Sequence, residues 1–191
     1  MGKLIRDGQR WRSGTAADVE WIYLGTEVGV EITSAIPPVF TDYATVVIPR
    51  SDELGQPQHD HAVIAVLAGY SPDQPWWLGY LDRGGSDIVF PEAPRVRLYA
   101  DWPYVLVQAG PEQAARWRQD NAGGSCPSRL PELMFPADRS WLVSTLWDDD
   151  WTCLGGSASL VESFMRHPDL QSRTRRVGLD QDATPPGHQA R

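Results

Sequence analysis

The segment 76–108, WWLGYLDRGGSDIVFPEAPRVRLYADWPYVLVQ, decides the fold class of this chain. It contains four apolar runs, at 76–82, 87–90, 95–99 and 104–108, and the DRGGS between the first two is typical of a hairpin turn. No helical pattern separates the runs, whereas parallel neighbours need long crossover connections. The segment therefore predicts four strands that pair antiparallel.

The flanking sequence adds helices and further strands. In chain order we expect a helix from Thr15 with Asp18 in a capping box, strands over 30–36 and 43–48, a helix over about 60–68, a helix over 111–119, strands over 141–147 and 151–154, and a helix capped by Ser157. A weak repeat of hairpin, glycine and helix relates 77–117 to 141–164, and chance similarity explains it equally well. The expected fold is α+β, a mostly antiparallel sheet with helices on one face, with two β-hairpin-plus-helix halves as one interpretation.

Length and composition indicate one globular domain. The chain has 191 residues, of which 41% are hydrophobic and 22% charged, close to the average for soluble globular proteins. Residues 1–14 are polar and basic and are expected to form a loose arm. Residues 178–191 are almost free of apolar side chains, which predicts a disordered tail. A single α+β domain is therefore expected over 15–177.

The charge is distributed unevenly. The formal net charge is −8, and residues 15–165 alone hold 8 basic and 21 acidic residues, a net of −13. Such a body repels phosphate backbones, so we expect no nucleic-acid partner, and a protein partner with a basic surface is favoured over an acidic one. Simple solubility explains the charge as well. With no apolar run of membrane-spanning length and no signal-peptide pattern, we expect no membrane association and a cytoplasmic protein with reduced thiols.

The sequence His59-Asp60-His61 is the candidate metal site. In an extended loop, alternate residues point to one side, so both imidazoles could bind a divalent metal such as zinc. An aspartate as third ligand or base would complete a small metal-dependent hydrolase. The alternatives are a solvated helix N-terminus capped by Asp60 and a histidine that acts as a base or as a pH-sensitive contact. Apart from this metal, we expect no cofactor.

The acidic run Asp148, Asp149 and Asp150, flanked by Trp147 and Trp151, is the candidate partner-binding site. The carboxylates would steer and pair with basic groups, and the indoles would be buried anchors. Turn chemistry alone also explains three aspartates, since aspartate is favoured in turns. Binding of a hard cation or acceptance of a proton is a further reading.

Tryptophan is unusually abundant, with nine residues against four phenylalanines. Trp76 and Trp77 must face opposite sides of a strand, so we expect one of them outside a one-sided core. About half of the tryptophans are assigned to the core, and the rest suggest an aromatic surface for a protein or a pocket for an apolar ligand. No nucleophile-elbow or phosphate-loop motif is present, so an enzyme is less favoured than a binding protein.

Three strings carry a resemblance: AIPPVF at 35–40, PWWLGYLD at 75–82 and SWLVSTLWDDDWTCLGG at 140–156. Over residues 15–176 the chain resembles a family of small acidic, Trp-rich actinobacterial proteins with no assigned activity, so the resemblance implies none. In size, acidity and mixed pattern it is also similar, as a class, to bacterial immunity proteins that neutralise toxins. The expected function is a non-enzymatic protein-binding module, immunity-protein-like in one reading, with the metal-dependent hydrolase and a Trp-lined small-molecule-binding protein as alternatives.

Overall fold

The computed structural model describes residues 3–6, 9–49, 55–83, 90, 92–117, 130–146 and 149–189. Within them the strands are β1 Lys3–Arg6, β2 Gln9–Ser13, β3 Asp42–Val47, β4 Trp76–Leu81, β5 Arg95–Leu98, β6 Trp102–Ala109, β7 Leu133–Pro136, β8 Leu142–Ser144, β9 Trp151–Gly156 and β10 Thr174–Arg176. The helices are α1 Ala16–Tyr23, α2 Gln56–Tyr70, α3 Pro111–Ala115 and α4 Ala158–Arg166, with a 3₁₀ turn at Ile32–Ser34. No helix in these ranges has the length and apolar character needed to cross a bilayer.

The strands form one sheet in which every neighbouring pair is antiparallel. Its order is β1-β2-β6-β4-β7-β8-β9-β3-β10, and β5 also pairs with β6. The expected α+β class and mostly antiparallel sheet are confirmed. The β4–β6 pair is followed by α3 and the β8–β9 pair by α4, the order of elements that the repeat predicts.

Both faces of the sheet are covered. Residues of α2, α3 and α4 pack in one core cluster, as the expected one-sided helices would, whereas α1 and the 3₁₀ turn pack in a second cluster on the opposite face. Alternation along β4 places Trp76 in the first cluster and Trp77 in the second. The expectation that one of these indoles lies outside the core is wrong, because each face has its own core.

Local signals are confirmed at two helix starts. The Asp18 carboxylate accepts from the Thr15 N–H at 2.8 Å, and the Ser157 hydroxyl accepts from the Leu160 N–H at 3.2 Å. The α2 helix begins at Gln56, four residues earlier than expected, with Pro57 in its first turn where a missing N–H costs nothing. Asp60 therefore lies inside the helix and does not cap it.

Three expectations outside the central strands are wrong. No strand forms over 30–36: Ile32–Ser34 is a 3₁₀ turn, and the tighter spacing of a helix buries both Ile32 and Ile36. The arm expected to be loose contains β1 and β2, and β2 extends the sheet beside β6. Part of the tail expected to be disordered is ordered: Ala183 is buried, and Glu31 forms an isolated antiparallel bridge with Asp182.

Candidate functional site

A cavity of about 680 Å³ lies on the α1 side of the sheet. Its walls come from the end of α1 and the loop after it, the 3₁₀ turn, the β5–β6 turn, the ends of β4, β6 and β9, the β8–β9 connection and two residues of the C-terminal segment. This volume falls in the range of about 300–1,000 Å³ that small-molecule pockets occupy. The cavity is therefore the leading candidate site.

Aromatic rings form much of the cavity wall. Tyr99, Trp102, Tyr104 and Trp151 line it, together with the thiol-bearing Cys153. Alternation along β6 and β9 turns Tyr104, Trp151 and Cys153 toward this face. The Tyr99 and Tyr104 rings meet edge to face with centroids 5.7 Å apart, a preferred aromatic geometry. The wall is thus built of packed and preformed side chains.

The mouth of the cavity is unusually apolar. Seven large hydrophobic side chains are exposed among the described residues, and four of them, Tyr23, Leu24, Val28 and Val30, line this cavity. Val28 is 90% exposed and Leu24 is 73% exposed. Isolated exposed hydrophobic residues are common, but a contiguous group at a cavity mouth indicates a binding surface.

The β5–β6 turn holds an unusual backbone. Tyr99 and Asp101 have positive φ angles of 49° and 67°, which are rare outside glycine and are costly for a bulky residue. The Tyr99 hydroxyl lies 2.7 Å from the Ser144 hydroxyl and donates to the Ala35 carbonyl at 3.2 Å. Arg97 donates to the Asp101 carbonyl at 2.8 Å. These contacts tie the turn to β8 and to the 3₁₀ segment, so they compensate for the strained backbone.

The cavity is acidic. Glu27 and Asp101 are exposed at its mouth, whereas Asp149 is only 7% exposed. Burial, and secondarily the Asp149 charge, raise the pKa of the Cys153 thiol to about 12. The thiol therefore stays protonated at neutral pH and is a poor nucleophile.

The C-terminal strap, residues 177–189, borders the same cavity. Ala183 and Thr184 line it, and the Ala183 N–H donates to the Val30 carbonyl at 2.8 Å. Arg175 donates to the carbonyl oxygens of Asp182 and Thr184, at 2.8 and 3.1 Å. The strap therefore fixes one side of the exposed apolar loop.

The structure places two of the five predicted partner-binding residues, Asp149 and Trp151, in the lining of this cavity. Trp151 and Asp149 are buried and line it, while the half-buried Asp150 pairs with His188 of the strap at 2.8 Å. Trp147 and Asp148 lie outside the described residues. Asp149 of the acidic run and the flanking Trp151 are therefore buried beside a cavity and do not form an open surface, and their role in binding a partner stays a prediction.

The structure does not bring His59 and His61 together on one side of the chain. Both lie in α2, where residues two apart point to nearly opposite sides, so the extended loop that the metal hypothesis requires is wrong. His59 is 4% exposed, and burial lowers its pKa to about 4, whereas His61 is exposed. In the part of the chain that the structure describes, no group of three or more His, Cys, Asp or Glu side chains could hold a metal ion.

Sequence reasoning missed the cavity residues Tyr99 and Trp102 and the apolar loop 24–30. A signal for the loop exists: GTEVGV at 25–30 has two valines among glycines and polar residues, a composition typical of an exposed turn and not of a core element.

Comparisons with protein-family models, with curated proteins and with solved structures found no match for this chain. Its function therefore has to be inferred from the site itself.

Proposed function

We propose that this chain is a binding protein whose cavity takes a small organic molecule with an apolar body. The observation that carries the proposal is the cavity of about 680 Å³, which has an aromatic wall and a mouth of exposed apolar side chains. A ligand bound there would remove the exposed rim and the rings from water. Each Å² of apolar surface that is buried contributes roughly 25 cal/mol to the free energy of binding. The proposal corresponds to the Trp-lined pocket that the sequence offers as an alternative.

The test is a titration with N-phenyl-1-naphthylamine, a neutral aromatic probe that fluoresces in apolar surroundings. We expect saturable binding to one site, and we expect Thr184→Trp to weaken it at least tenfold because the indole would enter the cavity. Leu179→Trp is the matched control, since Leu179 is an exposed strap residue that does not line the cavity. Absence of binding, or equal weakening by both variants, would refute the proposal.

A second candidate function, a protein-binding module, is favoured by the exposed apolar rim. A partner with a basic surface would match the acidic body and cover Leu24 and Val28. Neutralisation of a toxin, in the manner of an immunity protein, is the finer form of this candidate.

Native mass spectrometry of protein isolated from its own host tests the second candidate. A stoichiometric partner should be lost from the Leu24→Ser, Val28→Ser double variant and retained by Val39→Ser, a control that is exposed but does not line the cavity. A partner that both variants retain binds elsewhere, which would contradict this candidate.

A further inference from the structure

The charge of the cavity is one-sided. Of the described residues that line it, Glu27, Asp101 and Asp149 are acidic and none is lysine, arginine or histidine. Three guanidinium groups of the described residues lie close by but outside the lining. Arg97 donates to the Asp101 carbonyl, and Arg175 donates to carbonyl oxygens of the strap. Arg83, whose charge acts on Tyr104, is paired with Glu132 at 3.4 Å. Glu27 and Asp101 therefore present negative charge to a ligand at the mouth of the cavity.

The aromatic wall of the cavity also favours a cationic ligand. The faces of indole and phenol rings carry negative electrostatic potential, and a cation within about 6 Å of a ring centroid gains roughly 0.5–2 kcal/mol, more where water is excluded. Four such rings line the cavity, and the half-buried Tyr99 and Trp102 are more accessible than the buried Tyr104 and Trp151. An organic cation with an apolar body can therefore interact with the rings in two ways: its body buries apolar surface against them, and its charge is attracted to the ring faces.

The field of the whole molecule favours a cation as well. Residues 15–165, which contain most of the cavity wall, have a net charge of −13. A negative body raises the local concentration of cations and repels anions over roughly a Debye length of 8–10 Å. The carboxylates of the cavity and the long-range field of the protein thus both attract a cation.

We propose that the ligand of this cavity is a small organic cation, an ammonium group attached to an aromatic or alkyl body. The acidic lining would neutralise the charge, and the rings would bury both the charged group and the apolar body. The inference rests on the proposed function and narrows it to one class of ligand.

A pair of isosteric ligands tests the inference by calorimetry. Benzyltrimethylammonium carries the charge, and neopentylbenzene has the same shape with carbon in place of nitrogen. We expect the cation to bind at least tenfold more tightly at low ionic strength and to weaken as salt is added. Phenylmethanesulfonate, an anion of similar size, should bind more weakly than either.

Variants that remove a negative charge test whether the carboxylates of the cavity cause the tighter binding of the cation. The double variant Glu27→Gln, Asp101→Asn at the exposed mouth should weaken benzyltrimethylammonium about tenfold and neopentylbenzene less than twofold. Glu112→Gln, an acid of α3 outside the cavity, should change neither.

The outcomes separate the two proposals. If neopentylbenzene and N-phenyl-1-naphthylamine bind but the cation does not bind more tightly, the cationic ligand is refuted while the proposed function stands. If the cation binds more tightly but the double variant Glu27→Gln, Asp101→Asn does not weaken it, the assignment of its charge to this cavity is refuted. If no ligand binds, including N-phenyl-1-naphthylamine, both proposals fail.

Discussion

Removing the Tyr99 hydroxyl should destabilise the protein while leaving the aromatic ring in the cavity wall. The hydroxyl lies 2.7 Å from the Ser144 hydroxyl and 3.2 Å from the Ala35 carbonyl oxygen. The carbonyl can only accept, so the phenol donates its one proton to Ala35 and accepts the proton of Ser144. One oxygen thus connects the β5–β6 turn, β8 and the 3₁₀ segment.

The expected cost of Tyr99→Phe follows from what remains behind. Ser144 is 1% exposed and Ala35 is fully buried, so water cannot easily replace the lost partner of either group. A buried polar group left without a partner costs about 1–3 kcal/mol. We therefore expect the free energy of unfolding to fall by about 2 kcal/mol. Burial also raises the pKa of the Tyr99 phenol, so it stays protonated as a donor at neutral pH.

Urea denaturation measures the loss. With an m-value of about 2 kcal/mol/M, the midpoint of Tyr99→Phe should fall by about 1 M with m unchanged. Tyr23→Phe is the control, because the Tyr23 side chain is exposed and its variant should shift stability by less than about 0.5 kcal/mol. Adding Ser144→Ala to Tyr99→Phe should cost less than the two single changes together, since it removes the stranded hydroxyl. A Tyr99→Phe shift no larger than that of Tyr23→Phe would refute the reasoning.

Two further perturbations test the packing and the pH dependence. Gly155→Ala should lower the free energy of unfolding by about 1–3 kcal/mol, as measured in urea, because a Cβ there would lie 2.5 Å from Ile36 Cγ2. Gly69→Ala, in an open position of α2, is the control and should raise it by about 0.5–1 kcal/mol. Equal effects would contradict the close packing of β9 against Ile36. Folding lowers the pKa of His59 from 6.5 to about 4, so between pH 6.5 and pH 4 the unfolded chain binds more protons than the folded one. The free energy of unfolding should therefore fall by up to about 3 kcal/mol as the pH drops through this range. His59→Leu should reduce this loss and His61→Leu should not, as measured by unfolding at each pH; identical pH profiles for the two variants would contradict a buried neutral His59.

The central strands could be predicted because their sequence signals are local. Aromatic and other apolar residues in both strands, the valines of β6 and a nearby turn signal all favour strands for β4 and β6. The two strands pair from Trp76 and Ala109 to Leu81 and Tyr104. β7 could not be found in the same way. It lies between β4 and β8 with all four residues buried, and its LMFP sequence has no alternation to distinguish a strand from a loop.

The strap and the cavity depend on contacts between distant parts of the chain. Ala183 is buried because it meets Val30, about 150 residues away in sequence, and no local composition reports such a contact. The acidic run could be selected as a candidate site from its flanking tryptophans. Its role as a cavity wall could not, because the opposite wall comes from the loop after α1.

The most direct test of the central claim is to locate bound N-phenyl-1-naphthylamine by intermolecular nuclear Overhauser effects. The account predicts contacts between the probe and the ring protons of Tyr104 and Trp151, which line the cavity. Contacts to side chains of the opposite core, such as Trp76 or Phe164, without any to Tyr104 or Trp151, would contradict it.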